Sequence, residues 1–171
     1  MLAVPLRPLG SQGMPVDTEV VLVRHALSVQ PTADGPDELT RPLTPAGLRQ
    51  ARDLVGALVE PRPVAVWSSP YCRAVQTVRP TARALGLTVR PWWNLREWED
   101  GLPYTTDWEP HYERSWADPS FARPDGENLD QVTARAVAAV RALATAHPVD
   151  VSWRPLTARS SPGRCADSAL S

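Results

Sequence analysis

Short apolar runs alternate along the chain with longer stretches in which apolar residues recur every three or four positions. The runs within Glu19–Ser28, Val64–Trp67 and Leu87–Arg90 contain β-branched residues and no internal Gly or Pro, which is typical of buried strands. The first run ends abruptly on Arg24 and His25. The pattern therefore predicts three strands, and it predicts a charged and a titratable side chain at the tip of a buried parallel one.

Helical periodicity follows the first two strands and returns near the end of the chain. Thr44 is placed to cap a helix with Pro45 at its first position. The apolar stripe of this predicted helix comprises Leu48, Ala51, Leu54, Val55 and Leu58. A second helix is predicted over Tyr71–Leu85, with Gly86 as its C-cap, and a third over Leu129–Ala146. This alternation predicts an α/β fold, a three-layer sandwich whose mostly parallel sheet carries helices on both faces.

Three segments lack this regular pattern, and the first and last of them delimit a domain over residues 19–148. Residues 1–18 have prolines and no continuous apolar run, so we expect a flexible lead-in, with Met14 as a candidate start. Pro91–Pro124 holds five of the seven Trp residues without a clear period. We interpret it either as an insertion that walls a pocket or as a satellite hydrophobic cluster. Residues 149–171 read as an irregular tail.

Composition and charge narrow the class of protein. The 171 residues are 43% hydrophobic and 22% charged, as expected for one soluble globular domain. The net charge of -1 gives no general attraction for nucleic acid or an anionic membrane, so neither is predicted as a partner. Cys72 and Cys165 are too few for a disulfide framework and lack the spacing of a metal site, which favours a reducing cytoplasm and no metal.

The charged residues at the strand ends predict an anion site. Arg24 and His25 end the first strand, and Arg73 falls in the first turn of the helix after the second. A cation at a helix N-terminus is unfavourable unless an anion lies between it and the helix end. Because guanidinium groups bind phosphate oxygens bidentately, two of them around His25 would hold a phosphoryl group against an imidazole nitrogen.

Four stretches, taken in order, are similar to the motifs of one family, the histidine phosphatase superfamily, which includes the cofactor-dependent phosphoglycerate mutases. They are Arg24–Ser28, which resembles Arg-His-Gly-x-Ser/Thr, then Pro42–Ala51, Ser69–Thr77, and Gly126–Glu127 before a helix that carries Arg135. The resemblance extends from residue 20 to about residue 141. It implies a phosphoglycerate mutase-like sandwich.

The resemblance also implies a role for each matching residue. His25 matches the nucleophile, which attacks the phosphorus in line and forms a phosphohistidine. Arg24 and Arg73 match the phosphate clamp that neutralises charge in the transition state. Ser28 matches the small hydroxyl residue near the nucleophile. No cofactor and no metal is implied, since arginine supplies the positive charge.

The proton donor to the leaving alkoxide is matched by Glu97. That acid must be protonated near neutral pH, so burial by Trp93 or Trp98 would serve it by raising its pKa. Glu99 is the alternative acid, and either residue could instead be a solvated loop carboxylate.

Two departures from the family pattern bear on activity. Ala26 replaces the Gly of the first motif, where an ordinary backbone conformation would tolerate a methyl group. The second His, expected in a Ser/Thr-His-Gly motif after the last helix, is absent, and neither His111 nor His147 occupies its position. All 18 basic residues are Arg, which indicates G or C at most third codon positions. On that assumption Pro155–Ala158 read in another frame contains Pro-His-Gly, so we hypothesise a frameshift near Asp150.

These observations predict a phosphatase that hydrolyses small phosphate monoesters through a phosphohistidine and is impaired in this chain by loss of the second histidine. The alternatives are a non-catalytic phospho-ligand-binding protein and an inactive truncated gene product. For the phosphatase and for the binding protein alike, the predicted partner is a small phosphorylated metabolite. Its identity and the oligomeric state stay open.

Overall fold

The computed structural model describes residues 2–6 and 18–147. Its four strands are β1 (Leu2–Leu6), β2 (Thr18–Leu22), β3 (Val66–Ser68) and β4 (Val89–Pro91). The strands β1 and β2 pair antiparallel, whereas β3 and β4 pair parallel. The β3–β4 pair confirms a parallel component of a mixed helix and sheet structure.

The first strands differ from expectation in two ways. Within the predicted flexible lead-in, residues 2–6 form β1, because extended chain there can pair with the exposed backbone edge of β2. The predicted buried parallel strand is β2, which is antiparallel to β1 and leaves Leu22 50% exposed. Among the described residues, β2 therefore has no parallel neighbour. The segments 7–17 and 148–171, which include most of the predicted lead-in and the irregular tail, lie outside the described residues.

Five α-helices occur in the described residues, with a single 3-10 turn at Trp93–Leu95. They are α1 (Pro45–Asp53), α2 (Val55–Val59), α3 (Cys72–Ala84), α4 (Glu109–Ala117) and α5 (Leu129–Ala146). Thr44 caps α1 through its side chain, which accepts from the Gly47 N–H at 3.0 Å. After α3, Gly86 has a φ of +68°, the left-handed conformation expected of a glycine C-cap. Both predicted caps are confirmed. No helix in the described part of the chain is long and apolar enough to cross a bilayer.

The Trp-rich segment is more regular than its sequence suggests. It contains the 3-10 turn and α4, whose Pro110 lies in the first helical turn, where proline costs no hydrogen bond. The α4 helix buries only Ser115. A helix that buries so little needs no apolar stripe, so its sequence shows only weak apolar periodicity. Trp98, Trp108 and Tyr112 pack together, with ring centroids 5.5 and 5.4 Å from Tyr112.

An apolar core forms around the segment that follows β2. Ala26, Leu43 and Ala51 are buried together, with Leu48 packed against them. Ala51 contributes from α1, so the helix is anchored directly under the predicted nucleophile loop. This packing positions the candidate site.

Candidate active site

The loop Arg24–Ser28 is fixed to the N-terminal end of α1. The Leu27 carbonyl accepts from the Thr44 N–H at 3.0 Å and from the Thr44 hydroxyl at 3.1 Å. The Leu27 N–H donates to Gln50 Oε1 at 2.9 Å. A Cβ at Gly47 would overlap the Leu27 carbonyl oxygen, so this helix position admits only glycine without movement. The loop therefore lies directly against α1.

The helix α3 holds the other side of the same loop. The Ala26 N–H donates to Thr77 Oγ1 at 3.0 Å, and the Thr77 hydroxyl donates to the Arg73 carbonyl at 2.7 Å. The Leu43 N–H donates to Gln76 Oε1 at 2.7 Å. Since Thr77 is 1% exposed, its bonds are shielded from water and orient the backbone next to the imidazole.

One nitrogen of the His25 imidazole is engaged by the backbone. Its Nδ1 lies 2.8 Å from the Ala26 carbonyl oxygen. A carbonyl only accepts, so Nδ1 carries a proton, and in the neutral ring the lone pair is on Nε2. The chain conformation thus selects the tautomer that an Nε2 nucleophile requires.

An open pocket of about 360 Å³ surrounds this imidazole. Its lining residues are Arg24, His25, Ala26, Leu27, Ser28, Gln30 and Gln50. Three of the five predicted site residues, Arg24, His25 and Ser28, are thereby brought together. Arg73 and Glu97 are not among its lining residues.

Arg73 is connected to this pocket through a chain of charged groups. Its Nη2 lies 2.9 Å from Glu38 Oε2, and its Nη1 donates to the Glu38 carbonyl at 2.7 Å. Arg41 donates to both Glu38 carboxylate oxygens, at 3.0 and 2.8 Å, and its Nη1 donates to Ser28 Oγ at 2.8 Å. One carboxylate therefore occupies the space between two guanidinium groups.

The electrostatics of this cluster follow from burial and pairing. Burial lowers the pKa of Arg73, the Glu38 carboxylate opposes that shift, and the neighbouring Arg41 reinforces it. Burial would raise the pKa of Glu38, but the hydrogen bond from Arg41 and the charges of both arginines lower it below its ordinary value of 4.5. Among the groups in direct contact, two cations share the single carboxylate of Glu38, so these three side chains together carry a surplus positive charge.

Glu97 lies on a loop between the 3-10 turn and α4, and its side chain is exposed. Burial lowers the pKa of Arg73 and the charge of Glu97 partly opposes that shift. Burial and the Asp100 carboxylate raise the pKa of Tyr112 to about 12, and the charge of Glu97 adds to that shift. The predicted burial by Trp93 or Trp98 is wrong. Trp93 is 49% exposed, and the Trp98 indole N–H instead donates to the Glu127 carbonyl at 2.8 Å.

The alternative acid, Glu99, is engaged in other contacts. Its Oε2 lies 3.1 Å from Arg96 Nε, and its Oε1 accepts from the Tyr71 hydroxyl at 3.3 Å. Burial together with Glu99 raises the pKa of Tyr71 to about 12. The Tyr71 ring also lies under the Arg73 guanidinium, whose Cζ is 4.8 Å from the ring centroid.

Neither remaining histidine enters the pocket. His111 is exposed on α4, and His147 Nε2 accepts from the Trp67 indole N–H at 3.1 Å at the end of α5. The positions at which the missing second-histidine motif is expected lie outside the described residues, as does the hypothesised frameshift near Asp150. Within residues 2–6 and 18–147, no group of three or more His, Cys, Asp or Glu residues could hold a metal ion.

Sequence reasoning missed the two residues that connect Ser28 to Arg73. Arg41 directly precedes the Pro42–Ala51 motif, and Glu38 is three residues earlier. A buried Arg cannot be distinguished by sequence from the other Arg residues of the chain. The spacing of Glu38 and Arg41, three residues apart with opposite charge, is the one local signal that could have indicated the pair.

Comparison with known proteins identifies the kind of protein that carries such a site. A family model described as the histidine phosphatase superfamily (branch 1) matches residues 20–152. No curated protein matches the chain.

Solved structures give further matches. The native structure of a mycobacterial glucosyl-3-phosphoglycerate phosphatase is 25% identical with a TM-score of 0.60, and the match covers 72% of this chain and 62% of that one. A complex of that phosphatase with inorganic phosphate is 26% identical, with a TM-score of 0.58 and coverage of 72% and 61%. The product of an open reading frame from Mycobacterium tuberculosis is 30% identical, with a TM-score of 0.51 and coverage of 72% and 65%. The chain therefore spans less than two thirds of the length of each of these proteins.

Proposed function

The chain belongs to the histidine phosphatase superfamily, whose model spans most of its length, and on that premise we propose that it hydrolyses small phosphate monoesters through a phosphohistidine formed on His25, with activity impaired by loss of the second histidine. One observation carries the proposal. The Nδ1 of His25 is bound to the Ala26 carbonyl, which leaves Nε2 as the nucleophilic nitrogen in a pocket shared with Arg24 and Ser28.

The proposed reaction has two displacements at phosphorus. In the first, the lone pair of His25 Nε2 forms a bond to phosphorus while the bond to the ester oxygen breaks, and the leaving alkoxide takes a proton from Glu97. In the second, a water oxygen forms a bond to phosphorus while the bond from phosphorus to Nε2 breaks and returns its electron pair to His25, Glu97 accepts a proton from that water, and inorganic phosphate leaves. The guanidinium of Arg24 neutralises the negative charge of the transferring group.

Arg73 takes part only after its present partner moves. In our proposal the phosphoryl oxygens replace the Glu38 carboxylate between Arg41 and Arg73. Glu38 suits this exchange because its side chain is 52% exposed, whereas that of Arg73 is 3% exposed. A phosphate dianion would balance the surplus positive charge better than one carboxylate does.

The remaining finer expectations belong to this proposal. We propose that residues 19–148 form an incomplete histidine phosphatase-like domain, built as a three-layer sandwich with a mostly parallel sheet. The substrate is a small phosphorylated metabolite, in keeping with the phosphatase names of two structural matches. The cytoplasmic location and the absence of nucleic-acid partners stay predictions.

The C-terminal hypothesis gains one piece of support. The family match ends at residue 152, close to Asp150, after which we propose that the reading frame is shifted. The nucleotide sequence of codons 148–158 tests this. A second frame encoding a strand followed by His-Gly supports the shift, and the lack of such a frame overturns it.

The competing function is binding without turnover. It is favoured by the positions of His111 and His147, neither of which approaches the His25 pocket. A protein that lacked a second histidine would retain its arginines and hold a phosphorylated ligand.

Covalent trapping separates the two functions. The full chain is mixed with p-nitrophenyl phosphate labelled in the phosphoryl group and quenched in alkali, where phosphohistidine survives. We expect label on His25, none in His25→Ala, and undiminished label in the control His111→Ala. Binding of inorganic phosphate by both wild type and His25→Ala, with no label on the wild type, would overturn the phosphatase in favour of the binder.

A further inference from the structure

A compact ion-pair cluster lies beside the Glu97 loop and outside the proposed chemistry. The Arg135 guanidinium binds the Glu127 carboxylate through two bonds, Nε to Oε1 at 2.9 Å and Nη2 to Oε2 at 2.7 Å. Arg96 Nη2 donates to the same Glu127 Oε1 at 2.7 Å. The three side chains are 12 to 18% exposed. A bidentate pair of this kind fixes the relative orientation of the two side chains and also pairs their charges.

The same cluster holds the backbone of the loop on both sides of Glu97. Arg135 Nη1 donates to the carbonyls of Asn94 and Arg96, at 2.9 and 3.1 Å. The Glu127 N–H donates to the Glu99 carbonyl at 2.7 Å. The loop is therefore fixed before and after Glu97 by two residues, one just before α5 and one in its second turn.

Close backbone packing secures the connection immediately after the loop. A Cβ at Gly126 would lie 2.6 Å from the Asp100 carbonyl oxygen, and one at Gly101 would lie 2.6 Å from the Pro124 carbonyl oxygen. The two segments meet where neither can accept a side chain. Glu127 is thus held at a set distance from the loop that it binds.

Charge balance argues that this cluster does not bind substrate. Its two guanidinium groups, from Arg96 and Arg135, are matched by the two carboxylates of Glu99 and Glu127. It has no surplus positive charge for a phosphate, in contrast to Arg41 and Arg73. Burial would raise the pKa of Glu127, but Arg135 and Arg96 outweigh burial and lower it, so the carboxylate stays charged.

We propose that Glu127 and Arg135 are positioning residues that fix the loop 94–99 so that the Glu97 carboxylate reaches the leaving-group oxygen. Glu97 Oε1 accepts from the Trp98 N–H at 3.1 Å within the loop itself, and the charge of Glu97 acts on Arg73 and Tyr112. The cluster thus holds the backbone while leaving this carboxylate available. The inference rests on the proposed function, in which Glu97 is the proton donor.

The test exploits the leaving group. p-Nitrophenolate is weakly basic and departs without a proton, whereas the alkoxide of glycerol phosphate needs one. We expect Glu127→Gln to lower kcat for glycerol phosphate on the order of tenfold more than for p-nitrophenyl phosphate, because displacing an acid from its reach is costly. Glu97→Gln should show the same selectivity, and Glu60→Gln, at an exposed carboxylate after α2, should show none.

Each outcome has a distinct meaning. If Glu127→Gln lowers kcat equally for both esters, while Glu97→Gln lowers it more for glycerol phosphate, only the positioning role is overturned. Equal losses in Glu97→Gln would overturn the assignment of the acid, and a wild type inactive on both esters would overturn the proposed function. If Glu127→Gln fails to fold by circular dichroism, Arg135→Lys decides instead. Lysine keeps the positive charge but cannot form the two parallel hydrogen bonds to Glu127, so this variant should also lower kcat more for glycerol phosphate than for p-nitrophenyl phosphate.

Discussion

Two parts of the candidate site are held by different kinds of interaction. The backbone of the loop Arg24–Ser28 is fixed by neutral hydrogen bonds with Thr44, Gln50 and Thr77 and by direct contact with Gly47, and the charged Arg41 reaches the loop only at the Ser28 hydroxyl. The Arg73 side chain, by contrast, is fixed mainly by an ion pair with Glu38, a group from a largely exposed segment.

The difference separates what is preformed from what can exchange. Neutral bonds to the backbone offer an anion nothing to replace, so the orientation of His25 is already set in the free protein. A carboxylate between two guanidinium groups occupies the kind of position that a phosphate would take. We therefore expect the loop Arg24–Ser28 to respond to steric changes and the Arg73 cluster, which comprises Glu38, Arg41 and Arg73, to respond to charge.

The largest expected effect is on the nucleophile loop, through Gly47→Ala. The added Cβ would overlap the Leu27 carbonyl oxygen and would lie 2.9 Å from the Leu27 carbonyl carbon. Since backbone must move, we expect the free energy of unfolding to fall by about 3 kcal/mol. Urea denaturation followed by circular dichroism measures the change.

A matched glycine provides the control for that experiment. A Cβ added at Gly56, in α2, would have no neighbouring atom within 4 Å, so Gly56→Ala should stabilise the chain by about 0.5 kcal/mol through helix propensity. Equal urea midpoints for Gly47→Ala and wild type would show that α1 does not constrain the loop. The comparison between the two regions would then fail.

Much of this framework could be predicted from local patterns, and the failures have physical causes. The α1 cap at Thr44 and the glycine C-cap at Gly86 depend on adjacent residues, so sequence is sufficient for them. The strand β1 was not predicted, because its pairing with β2 is not local and its proline argued against a strand. The helix α4 was missed because it buries little apolar surface.

The candidate site likewise has a part that local sequence predicts and a part that it does not. The grouping of His25 with Arg24 and Ser28 follows from one short motif. The link through Glu38 and Arg41 to the next strand end depends on a loop folding over α3, which no periodicity encodes. The roles of these residues stay predictions until the chemistry is measured.

A smaller effect is expected at the Arg73 cluster, through Glu38→Gln. If phosphate replaces the Glu38 carboxylate, removing its charge should tighten binding of inorganic phosphate. We expect a Kd about threefold lower, because a partly exposed ion pair contributes at most about 1 kcal/mol. Isothermal titration calorimetry measures this Kd.

Asp34→Asn removes one charge from the same exposed segment and is the control. An equal Kd in both variants would show that Glu38 does not compete for the anion.

The smallest expected effect is a dependence of stability on pH that the Arg73 cluster should show and the Thr77 contacts of the loop Arg24–Ser28 should not. Arg41 and Arg73 hold the pKa of Glu38 below its ordinary value of 4.5. A lowered carboxyl pKa stabilises the fold above the unfolded-state pKa, and that contribution is lost as pH falls through the folded-state value. Wild type should therefore unfold at a higher temperature than Glu38→Gln at pH 7, and the gap should close below about pH 4.5. Because Thr77 bonds only to neutral backbone groups of Ala26 and Arg73, Thr77→Val should lower the melting temperature equally at pH 7 and below about pH 4.5. A Glu38→Gln gap that stayed constant from pH 7 to pH 3 would mean that the carboxylate contributes through shape alone, and the contrast between the two regions would vanish.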